Sequence, residues 1–124
     1  MTQLLLIAAA GALGTVLRFA ILQATSAWNE SGFAWGTLIA NVVGCFLIGL
    51  VLAYGHQRQM LNPNQLQLIS VGFLGALTTF STFTANTADL WRGGDFVAAL
   101  AFAVANLVLG FALFYLGGIL GRSV

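Results

Sequence analysis

The sequence predicts an all-α membrane protein of four transmembrane helices, and three observations carry that prediction. Of its 124 residues 60% are hydrophobic and 6% are charged, with a mean hydropathy of +0.97, whereas an ordinary soluble domain is about 25% charged. Cutting the chain at its charges leaves four uncharged stretches, 3–17, 31–55, 59–88 and 96–121, each able to supply the roughly 20 apolar residues that a bilayer-spanning helix needs. Trp28, Trp35 and Trp91 fall at segment ends, as do Tyr54 and Tyr115, the pattern of aromatic belts at membrane interfaces. A water-soluble globule is excluded.

The whole chain, 1–124, reads as one four-helix domain. The first helix covers about residues 3–23 and carries Arg18 where a cleaved leader would show small residues closing a short apolar core, so it is expected to be retained. The second covers about 33–54, the third about 65–90 and the fourth about 96–120. The connections, 24–32, 56–65 and 91–95, leave no room for an extramembrane domain. Pro63, the only proline, lies in the second connection, where Asn62 and Asn64 can turn the chain and cap the third helix.

Charge and cysteine usage exclude several classes of function. Four arginines, Arg18, Arg58, Arg92 and Arg122, stand against three acids and never cluster, so there is no nucleic-acid footprint. Cys45 is the only cysteine and sits in an apolar stretch, which leaves neither a disulfide framework nor a thiolate zinc site. With four spans, Arg58 and Arg122 fall on one side of the membrane and Arg18 and Arg92 on the other. Because the excess of Lys and Arg sets orientation, this tie predicts insertion both ways up. Two oppositely inserted copies form an antiparallel homodimer with its two-fold axis in the membrane plane. Gly11 and Gly14, then Gly36, Ala40 and Gly44, then Gly110, Gly117 and Gly121 make smooth helix faces that allow close approach, within one chain or between two.

Any chemistry must lie in the polar residues inside the membrane, where each is costly. The second helix offers Thr37 and Asn41, one turn apart, and the fourth offers Asn106 with Gly110 beneath it. Either asparagine can glue helices together or donate to a ligand. Arg18 either snorkels to an interface or lines a vestibule that attracts anions. The third helix is the most unusual: Thr78-Thr79-Phe80-Ser81-Thr82-Phe83-Thr84 carries a hydroxyl at every position except two phenylalanines at i and i+3, and follows Gly72-Phe73-Leu74-Gly75. Glycines and β-branched threonines are weak helix formers, and Thr and Ser divert backbone hydrogen bonds, so an unwound segment is expected over residues 75–79. Residues 66–74 span about 13 Å of helix at 1.5 Å per residue, which puts the break near the midplane of a roughly 30 Å hydrocarbon core. Freed carbonyls there can coordinate a cation, while the following half-helix points N–H groups at an anion.

These residues resemble a known family. Gly-x-x-Thr-Thr-Phe-Ser-Thr-Phe over residues 75–83, Gly-x-x-Gly-x-x-x-Arg over 11–18 and Gly-Thr-Leu-x-Ala-Asn over 36–41 are similar to the motifs of the Fluc family of bacterial fluoride channels, also called CrcB. The resemblance covers nearly the whole chain in length, span count and motif order. It implies an antiparallel dual-topology homodimer in the inner membrane with two fluoride pores, through which cytoplasmic fluoride leaks out. By matching positions it implies that Phe80 and Phe83 line the pores, that Asn41 donates to the anion, and that Ser81 and Thr82 belong to the hydroxyl lining. The backbone carbonyls of Gly75 and Thr78 would hold a central structural sodium ion, and Arg18 matches the family's first-helix arginine. Two positions depart from the family pattern. Asn86 stands where members often carry glutamate, and Gly110 stands where a hydroxyl is sought.

Elementary electrostatics supplies a mechanism beside the resemblance. The edge of a phenyl ring carries partial positive charge, so an anion can approach edge-on without meeting a countercharge that would trap it, and conduction needs such weak, repeated sites. Fluoride is small and strongly hydrated, so a narrow lining of Asn41, Ser81, Thr82 and Asn106 favours it over chloride. A small dual-topology proton-coupled exporter is the alternative, but it needs an intramembrane carboxylate, and Glu30, Asp89 and Asp95 all lie at or near connections. A structural subunit of a larger complex explains the glycines and leaves the hydroxyl–phenylalanine run without a purpose. An enzyme is the weakest reading, since no nucleophile–base pair stands out and His56 is a lone residue of a connection.

Overall fold

Periodicity and punctuation in the chain become four helices long and apolar enough to cross a membrane, Thr2–Ala24, Trp35–Gly55, Pro63–Arg92 and Phe96–Ser123. The computed structural model describes residues 1–57 and 59–123. Arg58, and with it one of the four arginines of the orientation tie, lies outside the described residues. The first span is α1 (Thr2–Ala24), followed by a 3₁₀ turn at Ser26–Ser31. The second is α2 (Trp35–Leu52), whose last turn widens into π geometry at Ala53–Gln57 and so carries the backbone of His56 as helix, not loop.

The third span is two half-helices. The first, α3 (residues 63–77), runs through Pro63–Gln67, a π-helical stretch at Leu68–Leu74 and a last turn at Gly75–Leu77. Its start is the capping arrangement the sequence suggests: the Asn62 side chain accepts from the Gln65 N–H at 2.9 Å, the Gln65 side chain accepts from the Asn62 N–H at 3.0 Å, and Pro63 fills the first turn. The second half is α4 (Phe80–Arg92), and the fourth span is α5 (Phe96–Ser123). The break is narrower than expected and falls at its end. Gly75–Leu77 is helical, and only Thr78 and Thr79 are extended, at φ/ψ −90°/157° and −152°/118°. Two β-branched residues in sequence favour extended backbone more than the preceding glycine does.

The spans pair in parallel twos. Gln3 donates to the Asn64 carbonyl at 3.1 Å, Gly72 lies against Ile7 and Ala10, and Gly14 against Phe73, so α1 and α3 run side by side in the same direction. In the other pair, Gly117 lies on the backbone of Phe46, Gly49 on that of Phe114 and Gly121 on that of Leu50, so α2 and α5 also run parallel, in backbone contact that a side chain at any of these glycines would block. The small-residue faces therefore serve packing within one chain. The closest core, Leu38, Leu90, Ala99 and Phe102, sits between α2, α4 and α5. Outside it, Leu4, Leu13, Val16 and Phe19 on α1 and Val97, Leu100, Val108 and Phe111 on α5 are exposed, an apolar exterior suited to lipid or to other helices in lipid. Arg18 lies half-buried within α1, which continues past it to Ala24, and Tyr115 lies inside α5, not at its end.

Candidate functional site

Breaking a helix at mid-span leaves backbone N–H and C=O groups that the hydrocarbon core cannot satisfy. The chain answers with side chains from α2 and α4. Asn41 bridges both polar groups of Thr79: its Oδ1 accepts from the Thr79 N–H at 2.8 Å, and its Nδ2 donates to the Thr79 carbonyl at 3.2 Å. The second Nδ2 proton of Asn41 goes to Asn106 Oδ1 at 3.0 Å, and Asn106 Nδ2 donates in turn to the Phe102 carbonyl at 3.0 Å. Thr79 is also the N-cap of α4, its hydroxyl accepting from the Thr82 N–H at 3.1 Å and donating to Thr82 Oγ1 at 3.0 Å. Leu74's carbonyl receives both the N–H and the hydroxyl of Thr78, each at 3.0 Å. Among the described residues no hydrogen bond reaches the carbonyls of Gly75 or Thr78.

Beside this network lies a groove of about 330 Å³, whose walls include Asn41, Gly44, Ser70, Gly75, Thr78, Thr79, Phe80, Phe83 and Asn106. A second groove of about 480 Å³ runs along α4 past Thr84, Thr87, Trp91 and Arg92. Phe80 and Phe83 line both, so the pair stands between the two hollows. The two rings are held differently. Phe83 stacks on the buried Phe102 at 5.9 Å and an interplanar angle of 27°, and Phe102 meets Phe33 edge-on at 5.1 Å. Phe80 is 77% exposed and touches only Phe83 among the described rings, at 5.5 Å. Thr84 and Thr87 turn their hydroxyls back onto the carbonyls of Phe80 and Phe83, at 3.0 and 2.8 Å.

Of the residues singled out from the sequence, Asn41, Phe80, Phe83, Asn106, Gly75 and Thr78 meet in the first groove. Ser81 and Thr82 are not on its wall; they belong to the hydroxyl cluster around Thr79, Ser81 Oγ lying 3.2 Å from Thr79 Oγ1. Arg18 is not on the wall either. Asn86, at the departure from the family pattern, accepts from Thr37 Oγ1 at 2.9 Å and so ties α4 to α2. Reading the sequence missed Ser70, which bonds the Leu66 carbonyl at 2.6 Å in the widened part of α3, and Thr79 as the hub of the network. An isolated serine in an apolar run was the available signal for the former; for the latter the crowd of hydroxyls hid which one caps α4.

A small multi-pass membrane protein, with a broken span whose backbone is bridged by an asparagine and open to a groove, is the class that this fold and site define. The profile of the family described as "CrcB-like protein, Camphor Resistance (CrcB)" matches residues 5–118, and the chain belongs to that family. Similar proteins include the fluoride-specific ion channel FluC of Dehalococcoides mccartyi, 38% identical over 98% of this chain and 93% of its own length. That of Magnetococcus marinus is 38% identical over 98% and 99%, and that of Shewanella sp. (strain ANA-3) is 44% identical over 94% of each chain.

Proposed function

We infer that the chain is a fluoride-selective ion channel and not an enzyme. The observation that carries the reading is the Phe80–Phe83 pair standing between two grooves beside a broken span, in a chain whose relatives bear the name fluoride-specific ion channel across almost their whole length. Ring edges attract an anion weakly, and weak successive sites let it leave as readily as it enters. One copy leaves Phe80 exposed and both grooves open. We therefore read the working unit as an antiparallel homodimer in the inner membrane of a bacterium, with two pores through which cytoplasmic fluoride leaves passively. The uncovered faces of α4 and α5 support this, as does the arginine tie.

A sodium ion fits the break. The carbonyls of Gly75 and Thr78 are uncharged oxygen donors without another partner among the described residues, and a carbonyl in the last turn of a half-helix beside an unwound one suits a monovalent cation. In the dimer both copies would contribute them, and the ion would offset their converging dipoles. Purified protein in liposomes loaded with fluoride or with chloride tests the function: rapid fluoride efflux with chloride retained is expected, and equal leakage of both, or of neither, overturns it.

A further inference from the structure

We propose that Asn106 is a positioning residue whose amide oxygen occupies, as a resident competitor, the one proton of Asn41 that a passing anion needs. The proposal rests on the fluoride-channel reading with Asn41 as donor and adds to it how the donor is kept weak. The hydrogen bonds leave no freedom in how the two amides are turned. The Thr79 N–H can only donate and its carbonyl can only accept, so Asn41 must face them with Oδ1 and Nδ2 respectively. The Phe102 carbonyl can only accept, so Asn106 must give it Nδ2 and present Oδ1 to Asn41. Asn41 thus has two protons and two acceptors, and in this state none is left for a ligand.

The two acceptors are not equivalent. Both acceptors are half-buried on the groove wall, but releasing the Thr79 carbonyl would break one half of the two-bond bridge that fixes the helix break, and a backbone carbonyl cannot turn away to find another partner. Releasing Asn106 frees a side-chain oxygen that lines the groove, where water or a rearranged amide can satisfy it. An arriving anion therefore displaces Asn106 and leaves the splint on Thr79 intact. The displacement weakens binding by about the net worth of one neutral hydrogen bond, roughly five- to tenfold in affinity. Because the same bond is broken whichever anion arrives, Asn106 sets residence time and not the preference between anions. Short residence is what conduction requires.

The test compares wild type with Asn106→Ser and Asn106→Leu in liposomes, reading fluoride efflux against fluoride concentration and the fluoride-to-chloride ratio. Serine is too short to reach Asn41 and can bond back to the Phe102 carbonyl, as Thr84 and Thr87 do four residues along on α4. The expected result is half-saturation at roughly five- to tenfold lower fluoride, a lower maximal flux and an unchanged anion ratio. A higher half-saturating concentration would make Asn106 a direct anion ligand, and an unchanged one, with or without lost thermal stability, would make it a packing residue; either overturns the proposal. Absence of fluoride flux in wild type would instead bring down the channel reading itself. Should neither variant assemble, the wild-type protein decides: on fluoride titration of protein labelled with ¹⁵N at asparagine, two side-chain amide signals should move together, and movement of one or none overturns the proposal.

Discussion

The methyl group of Thr78 occupies the space that a side chain at Gly44 would fill. This single contact seats the start of the helix break against α2, one turn below Asn41, whose amide then reaches Thr79. Gly44→Val must push Thr78 away or distort α2, an overpacking that costs about 1–3 kcal/mol. It should lower the melting temperature of the purified protein and reduce fluoride efflux by more than tenfold, while Val43→Ile, at the neighbouring exposed position of α2, leaves both near wild type.

Phe80 and Phe83 should separate conduction from folding. Phe80 is largely exposed in one copy and Phe83 stacks on Phe102. Isoleucine keeps bulk and loses the positive ring edge. Phe80→Ile is therefore expected to cut fluoride flux at least tenfold with little change in stability, whereas Phe83→Ile loses flux together with about 0.5–1.5 kcal/mol of aromatic packing. A fluoride electrode beside size-exclusion chromatography reads both. Normal flux in either variant removes that ring from the pathway.

Thr79 acts through its hydroxyl as the cap of α4. Thr79→Val keeps the shape and deletes the acceptor for the Thr82 N–H, so a loss of about 1 kcal/mol is expected, in the usual range for an N-cap. Thr79→Ser should restore most of it. Thermal denaturation in detergent measures the difference, and equal stability of the valine variant would show that water replaces the cap.

Sodium should matter to assembly as well as to transport. Replacing it throughout purification by a large organic cation, which carbonyls at a helix break cannot surround, is expected to lower dimer stability and fluoride flux, because a ligand held by the folded state alone stabilises it. Full stability and flux without sodium would reduce the break to a kink.

Orientation should respond to charge. Gln59 and Met60 lie exposed in the second connection, and Gln59→Lys with Met60→Lys adds two positive charges to one side of a balanced chain. Expressed alone, this form is expected to insert one way and lose function, and an oppositely biased copy should restore it. Full activity from one fixed orientation would rule out the antiparallel dimer.

Hydropathy and punctuation alone determined four spans, and the Asn62–Pro63 start of the third, because apolar length and local capping are written in consecutive residues. The run of threonines located the break to within a few residues, since extended backbone is a local preference of β-branched side chains, though it did not show that Gly75–Leu77 stays helical. What joins Asn41, Thr79 and Asn106 was decided only by the tertiary structure. Asn41 is separated along the chain from Thr79 by 38 residues and from Asn106 by 65, and which of several hydroxyls and amides satisfies a given backbone group depends on how α2 and α5 pack, through Gly44, Gly49 and Gly117, against the helices beside them. Composition could say that polar groups inside a membrane need partners; only the close approach of the helices selected the partners.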